Sequence, residues 1–303
     1  MLPQTFLNGL REIQQDAVLF DEPMKNHTSF QIGGPADVFI KPQSIDAFAG
    51  LIRLCGETKT PFLVMGAGSN LLVGDKGIRG AVIKTGKTLD FLEADGDTIT
   101  AGAGTLLAKL ANFALDHNLA GLEFSSGIPG LVGGAVYMNA GAYGGEMKDV
   151  VTRTEYIDGA GKLCSVEGVA HRFGYRSSVF AEGGKYIVRT CCKCQRGSRE
   201  QIAEKMRDFN GRRREKQPLE FPSAGSTFKR PEGYFAGKLI QDADLQGCQI
   251  GGARVSDKHA GFVINTGGAT ADDVWNLITH IQNTVHEKFG VMLQTEVKRV
   301  GEF

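Results

Sequence analysis

Two dense runs of glycine constrain this chain more than any other feature. Residues 66–80 hold five glycines and residues 121–145 hold eight, 13 of the 41 in the 303-residue sequence. Glycine at that density lets backbone amides approach a ligand closely and aim several N–H groups at one anion. The residues between the glycines of the second run are small and apolar (Ile128, Leu131, Val132, Ala135, Val136), so the run can be buried. The surplus has no three-residue period and prolines number only 9, which excludes collagen-like and proline-rich disordered chains. A pair of buried turns is the plain reading. Two such long segments, with Ser69, Asn70, Ser125 and Ser126 as side-chain donors, favour instead a cradle for a large phosphorylated cofactor.

Two other glycine signals fail on spacing and context. Gly80 and Gly86-Lys87-Thr88 enclose five residues where a P-loop has four, and those five read as a strand. Gly102-Ala103-Gly104, with Glu123 downstream, imitates a dinucleotide fingerprint, but Leu107 stands where glycine or alanine would be needed. The strand before it also belongs to a hairpin, so a tight turn is expected there.

Hydrophobic residues at 42% and charged residues at 22% describe an ordinary globular chain with ample core, long enough for two or three domains. With 34 basic against 34 acidic residues, there is no electrostatic case for nucleic acid or an anionic membrane. The N-terminal residues lack a signal-peptide core, and no stretch approaches the ~18 apolar residues of a membrane span, so a cytoplasmic location is expected. Cys191, Cys192 and Cys194 continue the run YIVRTCC and read as strand filling, with no metal site expected. Periodicity predicts helices over 4–15, 44–57 (capped by Ser44), 105–118, 198–215, 235–243 and 271–289. Strands are expected at 36–41, 61–66, 81–84, 90–95, 98–102, 150–157, 162–167, 186–194, 248–255, 261–265 and 291–300.

Six motifs then carry a resemblance that spans nearly the whole chain. NHTSFQIGGPADVF (26–39), GAGSN (66–70), SGIPGLVGGAVYMNAGAYGGE (126–146), FGYRSS (173–178), AGSTFKRP (224–231) and VSDKHAGFVIN (255–265) resemble the UDP-N-acetylenolpyruvoylglucosamine reductases, also called UDP-N-acetylmuramate dehydrogenases. The resemblance implies an α+β fold. Two α/β FAD-binding subdomains of the vanillyl-alcohol-oxidase (PCMH) type would occupy 1–80 and 81–200. A C-terminal α/β substrate-binding domain would occupy 201–303, its last residues able to pack back on the first subdomain. It further implies a monomeric, cytoplasmic oxidoreductase of peptidoglycan synthesis, and hence of cell wall biogenesis, cell shape and cell division. NADPH would be the hydride donor, non-covalent FAD the carrier, and the enolpyruvyl group of the sugar nucleotide the acceptor. Neither nucleic acid nor membrane insertion is expected. The alternative on the same fold is an oxidase or dehydrogenase of an alcohol or sugar acid. Such relatives often tether flavin through His or Cys, and neither occurs in 64–73 or 121–146.

The same resemblance implies the site residues. Arg176 would be the fixed cation beside the substrate carboxylate, Ser226 the proton donor and Glu296 the third catalytic group. Gly66, Ala67, Gly68, Ser69, Asn70 and Leu71 would bind FAD from the first run. Ser125, Gly127, Ile128, Pro129, Gly130, Gly133, Gly134, Asn139, Gly141 and Ala142 would do so from the second. Tyr175, Lys216 and His259 would contact substrate. Arg230 stands where a longer branch of the family has asparagine, and the tyrosine-bearing insertion of that branch is replaced by FAEGGK, so this chain resembles the shorter branch.

Overall fold

Local signals account for most elements of the computed structural model, which describes residues 2–303. Its chain falls into two units. The first comprises Met1–Phe20, Val38–Ala67 and Gly80–Arg213; the second comprises Asp21–Asp37, Gly68–Arg79 and Arg214–Phe303.

The first unit opens with helix α1 (Gln4–Ile13), followed by α2 (Ile45–Glu57). Ser44 caps α2 by accepting the Ala47 N–H at 2.9 Å, and the helix buries Phe48, Leu51, Ile52 and Cys55. Phe62–Met65 pairs in parallel with the Ala81–Lys84 stretch. A five-stranded antiparallel sheet runs in the order Leu163–Glu167, Val151–Asp158, Lys185–Lys193, Thr98–Gly102, Leu92–Asp95. Helices α3 (Leu107–Asp116), α4 (Val132–Met138) and α5 (Arg199–Lys216) complete it, α5 belonging here as far as Arg213. One core joins Phe6, Phe48, Ile83, Ile99, Leu110, Val136, Phe180 and Cys192. Cys191 and Cys192 thus lie in a strand, and burial pushes the Cys194 thiol up to about 11.

Helix α4 was not expected, because Gly133 and Gly134 are poor helix formers. Tertiary contacts supply what propensity lacks. The Val132 N–H donates to Thr105 O at 2.8 Å and the Gly133 N–H to Ala103 O at 2.9 Å, while Val132, Ala135 and Val136 are buried. The two rejected motifs are ordinary chain: 80–84 is strand, and a Cβ at Gly102 or Gly104 would stand 2.0 Å from Leu89 O or 2.1 Å from Gly86 O. Backbone packs there, which leaves no room for a dinucleotide.

In the second unit, α6 (Ala236–Asp242) and α7 (Ala271–Phe289) accompany a three-stranded antiparallel sheet, Gln249–Ile250, Ala253–Val255 and Val263–Asn265. The single strand expected over 248–255 is a tight hairpin, since Gly251 at φ +53° reverses the chain. Thr270 and Asp273 form a capping box at the start of α7, and the Asp75 carboxylate accepts the Ala271 and Asp272 N–H groups. Of the strand expected over 291–300, only Lys298–Val300 is regular, in parallel with Leu71–Val73. Leu293 and Val297 before it are anchored by burial in a core with Phe30, Leu72, Val274, Leu277 and Ile281.

Candidate functional site

Within the first unit, the strand end at Gly66 meets the second glycine run: a Cβ on Gly66 would lie 3.2 Å from a Leu131 methyl. Folding thus joins parts of two segments widely separated in sequence. Ser125 is fully buried and its hydroxyl donates to Leu122 O at 2.7 Å, so that side chain faces the protein. Ser126 accepts from Asn210 Nδ2 at 3.3 Å, and a Cβ on Gly127 would strike Asn210 Oδ1 at 2.4 Å and Arg213 Cδ at 3.2 Å. Ile128, Pro129 and Gly130 continue this turn, its amides held by Ile128 N–H to Ser125 O and Leu107 N–H to Gly130 O. Sequence reasoning missed Asn210 and Arg213. Their only signal is the i, i+3 spacing that puts them on one face of a polar helix.

Gly134 tests whether these residues fit a cofactor. It is exposed on α4, has no left-handed φ, and a Cβ on it would meet nothing within 4 Å. A helical glycine costs roughly 0.5–1 kcal/mol relative to alanine. No packing within the chain requires one here. Bare backbone open at this position would admit a group such as FAD, and the residues fit that cofactor.

Arg176 occupies the tip of a tight hairpin. Gly174 and Ser177 exchange backbone hydrogen bonds at 3.0 and 3.3 Å, leaving Tyr175 and Arg176 at the turn. Arg176 is left-handed at φ +53°, a conformation costing about 1–2 kcal/mol for a residue with a Cβ. Its guanidinium lies 5.1 Å from the Tyr175 ring centroid, and Nη2 donates to Gly141 O at 3.3 Å. Gly141 and Ala142 pair with Glu146 and Gly145 in a second small hairpin. The Glu146 carboxyl is held below the usual range, first by its bond to Lys148, then by Asn139 and the Arg176 charge.

Asn139, expected at the flavin, is completely buried, and its amide is spent on protein. Nδ2 donates to Glu146 Oε2 at 2.9 Å and to Gly174 O at 3.0 Å, and Oδ1 accepts the Lys148 N–H at 2.9 Å. Behind the arginine hairpin, buried His171 stacks on Phe173 and is held neutral by desolvation. Because the Gly168 carbonyl can only accept, the His171 proton sits on Nδ1, and Nε2 accepts from Thr154 Oγ1 at 2.9 Å.

The second unit assembles the other catalytic candidates. Ser226 is exposed and follows Gly225 at φ +77°. The next residue, Thr227, is a junction: its N–H donates to Gly261 O at 2.9 Å, its Oγ1 accepts the Val263 N–H at 3.0 Å, and its carbonyl accepts the Glu296 N–H at 2.8 Å. Ser226 and Glu296 are therefore brought together although 70 residues separate them. Asn70 completes the arrangement, donating from Nδ2 to Glu296 O at 3.0 Å and accepting the Lys298 N–H at 2.9 Å. Gly68 turns at φ +68° and accepts from Ser29, Ser69 lies in the following turn, and Leu71 opens the strand. His259 packs edge-on against Phe262, accepts the Gly261 N–H on Nδ1 at 3.1 Å, and is kept neutral by burial. Lys216 is exposed at the end of α5. Ala67 and Tyr175 belong to the first unit with Arg176.

Comparison with known proteins bears on this arrangement. Residues 217–300 match the sequence model for the UDP-N-acetylenolpyruvoylglucosamine reductase C-terminal domain, and residues 36–167 match that for an FAD binding domain. The UDP-N-acetylenolpyruvoylglucosamine reductase of Caldanaerobacter subterraneus subsp. tengcongensis is 51% identical over 302 residues, covering 99% of this chain and 100% of its own. The crystal structure of UDP-N-acetylenolpyruvylglucosamine reductase from Thermus caldophilus superposes with a TM-score of 0.80 at 33% identity, over 93% of this chain and 97% of that one. Phl p 4, a grass pollen allergen with glucose dehydrogenase activity, shares only the fold, with a TM-score of 0.51 at 15% identity over 64% of this chain and 44% of its own. The mixed α/β architecture is shared across these structures. Near-complete coverage at half identity decides the family: the chain belongs to the UDP-N-acetylenolpyruvoylglucosamine reductases.

Proposed function

We propose that this chain reduces the enolpyruvyl ether of UDP-N-acetylenolpyruvoylglucosamine to UDP-N-acetylmuramate with NADPH, as an FAD-dependent step of peptidoglycan synthesis. Full-length identity to a named reductase carries the proposal. Arg176, Ser226 and Glu296 are all present to perform it, whereas a chain that only sensed flavin or sugar nucleotide would need none of them. The likeness to a glucose dehydrogenase is one of fold, so an alcohol or sugar-acid oxidase is not favoured.

When bound, FAD supplies a two-electron carrier that takes hydride from NADPH and gives it to the carbon–carbon double bond. Gly66, Ala67, Gly68, Ser69, Asn70 and Leu71 of the first glycine run would hold it, with Gly127 to Gly130, Gly133, Gly134, Gly141 and Ala142 of the second run. Reduction of the double bond loads negative charge onto the adjacent carbon and its carboxylate. Arg176 meets that charge with a cation that cannot be deprotonated and a fork that matches a carboxylate. Ser226 delivers the proton to the carbanionic carbon, and Glu296 hydrogen-bonds the intermediate or relays the proton. Tyr175 packs on the arginine, while Lys216 pairs with substrate phosphate and His259 lines the substrate site. The enzyme acts in the cytoplasm as a monomer and supports wall growth, shape and division. Among the described residues no helix is long and apolar enough to cross a membrane.

The test is visible to the eye. Purified protein should be yellow, release its flavin on acid precipitation, bleach with NADPH and recolour with the enolpyruvyl sugar nucleotide. A bleached protein that recolours only with oxygen would refute the assignment.

A further inference from the structure

Arg176 has to hold one position while standing on a two-residue turn, in a backbone conformation its side chain disfavours. What fixes that turn lies beneath it. Asn139 ends α4 in the left-handed region at φ +45°, which asparagine tolerates better than most residues. Its amide has two N–H donors and one carbonyl, and all three are used. One hydrogen goes to the carbonyl of Gly174, the first residue of the arginine turn. The other goes to the carboxylate of Glu146, in the strand that pairs with Gly141. The Gly141 carbonyl is in turn the acceptor for Arg176 Nη2. A single buried amide therefore ties the base of the turn to the strand on which its guanidinium rests. Ser178 fixes the far end, its hydroxyl donating to Tyr137 O at 2.7 Å, two residues before Asn139 on α4.

We propose that Asn139 is a positioning residue for Arg176, locking the Gly174–Ser177 turn so that the guanidinium is held at Gly141. The proposal rests on the reading of Arg176 given above. No other side chain fills the place. Aspartate keeps the acceptor for the Lys148 N–H but sets a carboxylate against the Glu146 carboxylate and the Gly174 carbonyl. Glycine keeps the backbone conformation and loses every link. Glutamine adds a methylene to a site with no exposed surface.

Single-turnover kinetics on the flavin-loaded enzyme separate the two half-reactions. For N139G, flavin reduction by NADPH should stay within about threefold of wild type. Reoxidation by the enolpyruvyl sugar nucleotide should slow roughly 10- to 100-fold, the range for a displaced catalytic group. N139D should be as slow at neutral pH and recover as the pH falls, because a protonated carboxyl can donate to Gly174 O again, whereas N139G should not recover. Independently of turnover, amide hydrogen exchange in residues 173–178 should quicken in N139G while the strand Lys185–Lys193 stays protected. If N139D fails to fold, N139G and its exchange carry the test. Equal slowing of both halves, or unchanged exchange at 173–178, would overturn the proposal. R176A separates the two levels. If R176A itself leaves reoxidation intact, the reading of Arg176 falls; if R176A is slow and N139G normal, only the role of Asn139 falls.

Discussion

Substituting Gly134 with alanine should make the empty protein more stable and the flavoprotein weaker. The methyl enters open space on a helix in ordinary backbone conformation, so the apo chain gains the helix preference of alanine, roughly 0.5–1 kcal/mol. For a chain of this size that raises the melting temperature by about 1–4 °C. If the flavin presses on this backbone, the same methyl must be accommodated at the roughly 1–3 kcal/mol typical of overpacking, about a 5- to 150-fold loss of FAD affinity. The assay is calorimetry on flavin-stripped protein, followed by titration of FAD against the apo form. Wild-type affinity in G134A, or a lowered melting temperature without flavin, would refute the argument. Gly102→Ala serves as contrast: its Cβ would collide with Leu89 O at 2.0 Å, so that variant should lose the fold with or without flavin.

Ser226→Ala should leave NADPH-driven flavin reduction intact and slow substrate reduction by roughly 10²–10⁴, the contribution of a positioned proton donor, as stopped-flow bleaching and recolouring will show. His171 is buried neutral, with its pKa depressed from the ordinary 6.5 by desolvation. Its contribution to stability is therefore complete above that value and lost as pH falls below it, because the unfolded chain binds the proton more readily. Urea titrations between pH 7.5 and 5 should show a decline that is shallower in H171Q. Burial pushes the Cys55 thiol up to about 12 and raises Cys192 as well. Native-state labelling by a thiol reagent should accordingly modify Cys164, Cys191 and Cys248, which are partly exposed, and spare Cys55, Cys192 and Cys194 until the chain unfolds.

Elements whose signals are local were legible in the sequence. Ser44 announces α2 because a cap is chemistry within four residues. Helix α4 was not legible, since its glycines argue against it and its support comes from Ala103 and Thr105 on a separate segment. The stretch before Lys298 looked like strand from alternating Leu293 and Val297, yet what holds it is burial, a bridge from Thr295 to Phe228, and side-chain bonds from Gln282 to Leu293 O and Asn70 to Glu296 O. The proposed catalytic trio is suggested only by its motifs, for an isolated serine after glycine reads as a turn. For Asn139 a motif suggests a flavin contact, and the coordinates add that its amide hydrogen-bonds Glu146, Gly174 and Lys148.

The unit that carries Ser226 and Glu296 is gathered from three stretches of chain, and its strand Leu71–Val73 pairs with Lys298–Val300. The bond from Asn70 to Glu296 closes a loop of 226 residues, about 2–3 kcal/mol dearer in chain entropy than one of about ten. During synthesis at ~5–20 residues per second, Leu71–Val73 waits at least about ten seconds for that partner. Once Arg213 is made the first unit has all its residues, while the second still has an unpaired strand edge, a template for misassembly between nascent chains. Refolding should accordingly show a late phase that completes this unit, and flavin capture by Gly68 to Leu71 should report its arrival.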